Sequence, residues 1–420
     1  MDILPIHTPA GFNPLDLLKP LAAVLAGEGP VVAPYGTDEP PANLLSALSD
    51  SSSNGSTPTS SNESARASGH GATPGGRPEP SGAPSDTAVI ISTSGSTGQP
   101  KQTMLSVDAL AASSMATAFT LRGEGQWLSA LPVHYVAGLQ VLVRSLYAGT
   151  KPVVMDTSGG FDTDAFTYAA EEMTDHHRYV SLVPTQLHRL LDSPDPSTMS
   201  VLRRFNAILL GGGPASPDLL GNAAAEGLKV VTTYGMSETC GGCVYNGRPI
   251  DGVQIRLEEG RIWLGGDVVA SGYLNQTELT RQHFREEDGT RWYITDDLGE
   301  FHDDGKLRVL GRMDDVVITG GLKISANSVR EAIETVDGVE SAFVAGIESA
   351  EWGHVVAAAV VASPRSQDAV AAAVRRDVAA EAVPKVIEFV AELPTLPTGK
   401  PDRQQLIRML EESARGHRGE

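Results

Sequence analysis

The stretch "TAVIISTSGSTGQPK", residues 87–101, decides how this chain is read. Its first half is an apolar, β-branched run of the buried-strand type, and its second half is a glycine- and hydroxyl-rich turn closed by Pro100 and Lys101. The turn is not a Walker-type loop. That loop needs Gly-Lys at the start of a helix, whereas Pro100 precedes Lys101 here and has no N–H to offer. The spacing of Gly95 and Gly98 also differs. What remains is a flexible turn whose Ser94, Ser96 and Thr97 hydroxyls can donate to phosphate oxygens, with Lys101 as a nearby charge. The same residues would also make a plain Ser/Gly surface turn.

Downstream, short β-branched runs alternate with helical ones: "QWLSALP" (126–132), "KPVVM" (151–155), "YVSLVPT" (179–185) followed by "QLHRLLD" (186–192), "FNAILLGGG" (205–213) and "KVVTTYG" (229–235). That alternation predicts an α/β fold with layered, mostly parallel strands. Upstream, "PLDLLKPLAAVLAG" (14–27) has a helical pattern and "PVVAPYG" (30–36) that of a strand. Residues 51–86, between these and the opening strand, are nearly all Ser, Gly, Pro, Thr and Ala, too polar to offset their ordering entropy, and predict a disordered insertion. From 247 the texture changes to short alternating strands with Gly turns, "PIDGVQIRLEEGRIWLGGDVVASGYL" (249–274), a small barrel-like or antiparallel part. After "LGRMDDVVITGG" (310–321) it changes again, to a small α+β unit. The expected division is a large domain over 1–312 and a small lid domain over 313–420.

A chain of 420 residues is long for one compact unit. Its net charge of −20 repels nucleic acid and anionic lipid, which argues against either as a partner. No apolar run approaches the ~20 residues that span a bilayer. The start "MDILPIHTPAGFNPLD" lacks a basic-then-apolar leader, so a cytoplasmic protein is expected. Cys240 and Cys243 in "ETCGGCVY" could form a redox pair or half a zinc site. No second ligand pair is visible, and Gly-Gly between them favours a turn, so a small-residue packing site is expected.

Three further places could carry chemistry. "VTTYGMSETC" (231–240) runs from a strand into a turn with one acid, Glu238, beside Ser237. One carboxylate beside a phosphate cradle suits Mg²⁺, though a helix N-terminal charge is the plainer reading. "WYITDDLGEF" (292–301) presents Asp297 after a strand, a residue type that takes paired ribose hydroxyls. "PTLPTGKPDR" (394–403) holds Lys400 between Gly399 and Pro401, which suits a mobile cation reaching into a site.

With these motifs in order, joined by "PVHYVAG" (132–138), "GGGPAS" (211–216), "GYL" (272–274) and "LGRMDDVVITGGLKIS" (310–325), the chain resembles the adenylate-forming superfamily of acyl-CoA synthetases, peptide-synthetase adenylation domains and luciferases. The resemblance runs from about Ala88 to Arg403 and implies roles residue by residue. Ser94, Gly95, Ser96, Thr97, Gly98 and Lys101 would hold the ATP phosphates. Gly211, Gly212, Gly213 and Tyr234 would frame the adenine, and Gly235 and Met236 would also bind ATP. Ser237, where the family usually has Thr, would touch the α-phosphate, and Glu238 would hold Mg²⁺. Asp297 and Arg312 would bind the ribose, Asp314 would be the hinge, and Gly320 and Gly321 would face the CoA pantetheine. Lys400 would bridge the attacking carboxylate and the phosphate.

Cations are needed there because a carboxylate attacking ATP brings two anions together. A hinged small domain could then withdraw the lysine and admit the thiol. Two departures stand out. Asp296 replaces the glycine that usually precedes the ribose aspartate, so a different local turn is expected, and the region before the phosphate loop is short. Within the superfamily, "SLVPTQLHRLL" (181–191) and "YGMSETCGGCVYNG" (234–247) resemble the o-succinylbenzoate–CoA ligases of menaquinone synthesis. That implies ATP, CoA and an aromatic keto-dicarboxylate as small-molecule partners, and allows a homodimer. His134, Arg144, Thr185 and Gln186 are the candidates for the acyl pocket and its spare carboxylate, against plain readings as a capping Thr or a solvated Arg. The rival readings are another aryl- or fatty acyl-CoA ligase, a peptide-synthetase adenylation domain, and a non-catalytic binding relative.

Overall fold

The computed structural model describes residues 2–53, 84–93, 101–192, 194–319, 322–349, 353–363, 366–395 and 401–416. The apolar runs after the glycine-rich turn form a seven-stranded sheet in the order Arg248–Pro249, Gly241–Tyr245, Val230–Met236, Ala207–Leu210, Arg178–Leu182, Gln126–Ser129, Val153–Val154. From Val230–Met236 onward all neighbours are parallel, and the two strands at the other edge run antiparallel. The continuous apolar runs have a direct cause: this sheet is covered on both faces. Tyr179 and Leu209 face one core, while Val180 and Ile208 face another, as the period of two requires.

The second core packs the sheet against short helices such as Pro184–Leu191, Pro196–Arg204 and Pro217–Ala225. Each begins with proline at its first turn, where the missing N–H costs nothing. Asp195 and Ser216 cap the latter two by accepting from Ser197 N and Leu219 N. The first core lies between this sheet and a second one, ordered Ile3–His7, Val31–Tyr35, Thr87–Thr93, Lys101–Ser106, Gly272–Tyr273. Helices Val107–Thr120 and Val136–Ala148 fill the space between the sheets. Gly138 to Ser145 of the latter are all buried, because this helix has protein on every side.

A third sheet is antiparallel throughout: Gln254–Glu258, Arg261–Gly265, Thr290–Phe301 and Phe284–Glu287, with Leu307–Arg312 also on Thr290–Phe301. Arg312 ends the third sheet, Met313–Asp315 make one 3₁₀ turn, and Val316 begins a fourth. The fourth sheet carries helices Ala326–Glu334 and Gln367–Asp377 on one face and Arg403–Gly416 on the other. The α/β fold with a large N-terminal and a small C-terminal part is therefore as the alternation predicted.

Three local expectations differ. Ser51, Ser52 and Ser53 close the helix Ala42–Ser53, and Asp86 O accepts from Val107 N, so the insertion's ends are structured. Its central residues, 54–83, lie outside the described residues. Asp296 sits inside the unbroken strand Thr290–Phe301, not at a turn. Gly241 and Gly242 lie in a strand, and the turn falls at Cys240, whose φ of 51° is left-handed.

Candidate active site

The site forms where the parallel strands end, the edge at which open α/β sheets bind ligands. Leu210 runs into Gly211, Gly212 and Gly213, and Met236 into the 3₁₀ turn Ser237–Thr239. Two of the glycines are sterically required. A Cβ at Gly211 would lie 2.3 Å from Thr233 Oγ1, and one at Gly235 would lie 2.1 Å from the carbonyl oxygen of Gly241. Glycine at 235 thus lets the strands Val230–Met236 and Gly241–Tyr245 close together at the site's edge. Thr239 Oγ1 accepts from Met236 N at 3.1 Å and fixes the turn that presents Ser237 and Glu238, each only 6% exposed.

Glu238 is the centre of the first cluster. The Tyr273 hydroxyl donates to its Oε1 at 2.7 Å, and the Tyr293 hydroxyl lies 3.4 Å from that of Tyr273. Burial first, and the Glu238 charge second, push the phenols of Tyr273 and Tyr293 far above the ordinary tyrosine value, so both stay protonated donors. Lys101 at the end of the glycine-rich turn places Nζ 5.3 Å from the centre of the Tyr273 ring. The Tyr273 side chain thus contacts both the buried Glu238 carboxylate, through its hydroxyl, and the Lys101 ammonium, through its ring.

Asp297 is the centre of the second cluster. The Tyr234 hydroxyl donates to Asp297 Oδ2 at 2.6 Å, and burial followed by the Asp297 charge raises the Tyr234 pKa well above normal. Thr295 Oγ1 accepts from Asp297 N at 3.0 Å, holding the strand at that point. Asp297 and Arg312 are direct partners across two antiparallel strands. The unusual Asp296 pairs with Arg261 at 2.9 Å and lies 3.7 Å from Arg312. The acid that replaces the usual glycine therefore stands between two guanidinium groups.

The acyl-pocket candidates do not stay together. His134 Nδ1 lies 2.9 Å from Thr8 Oγ1, and its ring packs on Tyr135 at 4.3 Å and over Gly36. Burial lowers its pKa and the His7 charge adds to this, while hydrogen bonding to Thr8 opposes both. Gln186 is committed to the backbone: its Oε1 accepts from Val183 N at 3.0 Å and its Nε2 donates to Ala130 O at 3.3 Å. Capping a helix consumes the amide that was expected to bind the substrate. Thr185 is exposed on the same first turn. Arg144 is neither solvated nor near His134. It lies ten residues further along the chain, within the helix Val136–Ala148, its guanidinium carbon 4.9 Å from the centre of the Trp127 ring, near the other end of the strand Gln126–Ser129. Ser94, Gly95, Ser96, Thr97, Gly98, Gly320, Gly321 and Lys400 lie outside the described residues, as does the side chain of Asp314.

Sequence reasoning missed Tyr273, Tyr293, Arg261 and Thr8 as members of the site. "GYL" and "WYITDD" contained the two tyrosines, but nothing local shows that Tyr273 donates a hydrogen bond to Glu238, 35 positions away. Cys240 and Cys243 are free and fully buried, and burial raises both thiols, that of Cys243 to about 12. Both pack in the core between the two large sheets. Among the described residues no group of three His, Cys, Asp or Glu could hold a metal ion.

Comparison with known proteins agrees with this geometry. The AMP-binding enzyme family matches residues 31–274, and the AMP-binding enzyme C-terminal domain matches residues 328–400. A probable 2-succinylbenzoate–CoA ligase of Mycobacterium tuberculosis is 42% identical over 330 residues, 77% of this chain and 84% of that protein. The 2-succinylbenzoate–CoA ligase of Bacillus licheniformis is 32% identical over 346 residues, 76% of this chain and 70% of that one. Among solved structures, o-succinylbenzoate CoA synthetase from Bacillus subtilis, in complex with its acyl-adenylate intermediate, superposes with a TM-score of 0.74 at 25% identity, covering 96% of this chain and 88% of that one. ATP-bound MatB from Rhodopseudomonas palustris shares the fold, with a TM-score of 0.75 at 23% identity, covering 97% of this chain and 88% of that one. Matches over most of the chain, together with a buried Glu238 and a tyrosine-held Asp297, show that it belongs to the AMP-binding enzyme family and is an adenylate-forming acid–CoA ligase.

Proposed function

We propose that this ligase joins 2-succinylbenzoate to CoA in two steps. The acid carboxylate attacks the α-phosphorus of ATP, forming a mixed anhydride with AMP and releasing diphosphate. The CoA thiol then attacks the acyl carbon, loses its proton, and displaces AMP. The observation that carries the substrate is the 42% identity to a probable 2-succinylbenzoate–CoA ligase over 77% of the chain.

Site roles follow from geometry and resemblance together. Lys101 and the turn from Ser94 to Gly98 would contact the phosphates. Gly211, Gly212, Gly213, Gly235 and Met236 would border the adenine, and Ser237 would touch the α-phosphate. Asp297, oriented by Tyr234, and Arg312 opposite it would hold the ribose. Glu238 fits a Mg²⁺ ligand, because its buried carboxylate is oriented by one neutral donor, Tyr273. When bound, Mg²⁺ would neutralise phosphate charge there. Lys400 would serve the first step alone, with Asp314 as hinge between domains at 1–312 and 313–420, and Gly320 and Gly321 beside the thiol's path. His134 remains the acyl-side candidate, as a neutral imidazole held by Thr8.

A second reading has one specific support. Arg144 lies over Trp127 at the other end of its strand and Gln186 bonds the backbone, so among the described acyl candidates no cation lies beside His134 to meet the aromatic carboxylate. A ligase for an acid lacking that group would need none. The test is a CoA-ligation screen over 2-succinylbenzoate, benzoate, salicylate and medium-chain fatty acids. Highest kcat/KM for 2-succinylbenzoate supports the first reading. Better turnover of another acid overturns the substrate and leaves the ligase.

A further inference from the structure

At the ends of the strands Gln126–Ser129 and Arg178–Leu182 remote from the candidate site lies a cavity of about 30 Å³. Trp127, Arg144, Tyr147 and Tyr179 line it beneath the two helices between the sheets. Arg144 is only 7% exposed, and its Nε has no hydrogen-bond partner among the described residues. Its neighbours are the face of Trp127 and the hydroxyl of Tyr245, which itself lies 3.1 Å from Thr117 Oγ1. No carboxylate pairs with it among the described residues, and a guanidinium keeps its proton even when burial lowers its pKa.

A buried cation without a counter-charge is strongly unfavourable, whereas one that faces a cavity can recruit its counter-charge from solution. We propose that this cavity is a binding site for one small monovalent anion, chloride or a short carboxylate such as formate, held by Arg144 over Trp127. Size and charge set the class. The volume suits roughly two or three water-sized centres, too few for phosphate esters or an aromatic acid. Arg144 offers a single positive charge and exposed Glu124 stands at the rim, which disfavours dianions. The site is separate from the nucleotide cluster, but Tyr245 ends the strand whose Val244 pairs with Tyr234.

The test exchanges sodium gluconate for sodium chloride, bromide or formate at constant ionic strength in the full-length protein. The expected result is a saturable rise in thermal midpoint of about 2 °C and a saturable change in tryptophan emission. The Tm response should vanish in Arg144→Met, and the emission change should vanish in Trp127→Phe. A response to chloride and bromide but not formate assigns a halide site, and the reverse assigns a carboxylate site. Should Arg144→Met fail to fold, crystals of the unmodified protein soaked in bromide should show an anomalous peak within about 4 Å of the guanidinium. Responses that are linear in salt and equal in both proteins, or a bromide-soaked crystal with no peak at Arg144, overturn the site.

Discussion

Glu238 and Tyr273 form the pair on which the site's charge balance turns. Replacing Glu238 by Gln keeps the shape and removes the charge, so diphosphate release should fall on the order of 10²–10³-fold and its dependence on Mg²⁺ should weaken. Tyr273→Phe leaves the carboxylate in place and should cost about tenfold. An unchanged Mg²⁺ dependence in Glu238→Gln would remove the assigned role. Glu238 was legible because a lone acid stood in a glycine-bounded turn, whereas Tyr273 became visible only when the fold brought its hydroxyl to 2.7 Å. What the sequence does not show for Gln186 is its capping bond: at the third position of a helix an amide can bond its own backbone, and here it does. His134 carries a pH signature. Its pKa in the folded chain is depressed, so the unfolded chain binds the extra proton first. Its contribution is complete above about pH 6.5 and is lost as the pH falls below that value. Thermal melts of His134→Gln should therefore depend less on pH between about 5 and 7 than those of the unmodified protein.

At the scale of elements, the strand ending at Met236 and the strand beginning at Gly241 pack with no room for a side chain at Gly235. Gly235→Ala would drive a methyl group against the Gly241 carbonyl, 2.1 Å away, so urea denaturation should show a loss of about 3 kcal/mol or more. Gly221 is the natural control. It lies within the helix Pro217–Ala225 with nothing within 4 Å of a built Cβ, so Gly221→Ala should stabilise by about 0.5–1 kcal/mol. Equal effects at the two positions would contradict this packing. Most elements were legible because strands buried on both faces must be apolar throughout and because Pro, Ser and Asp mark the helix starts. The register of Asp297 against Arg312 was not, since no local pattern encodes which antiparallel residue lies opposite.

For the whole molecule, the decisive arrangement is a fourth sheet that begins four residues after Arg312, the last residue of the nucleotide-side sheet. If the small domain rotates there between half-reactions, Lys400→Ala should lose adenylate formation by about 10²–10⁴-fold. The same variant should keep thioester formation from a supplied acyl-adenylate within a few-fold. Stopped-flow assays of each half-reaction separate the two, and equal damage to both would exclude the two-state scheme. Order and spacing of motifs made this division readable, because a change of sheet type leaves a change of texture in the sequence.

The buried thiols give the protein a clock. The chain has two cysteines, both at 0% exposure in the core between the large sheets, and the thiolate that would react is suppressed by that burial. Every alkylation event must then wait for this core to open, so labelling by a thiol reagent counts openings directly, with no surface thiol to obscure them. Saturating ATP and Mg²⁺ should slow both labels together, whereas rapid labelling of either cysteine in the native protein would show that the core breathes where the structure has it closed.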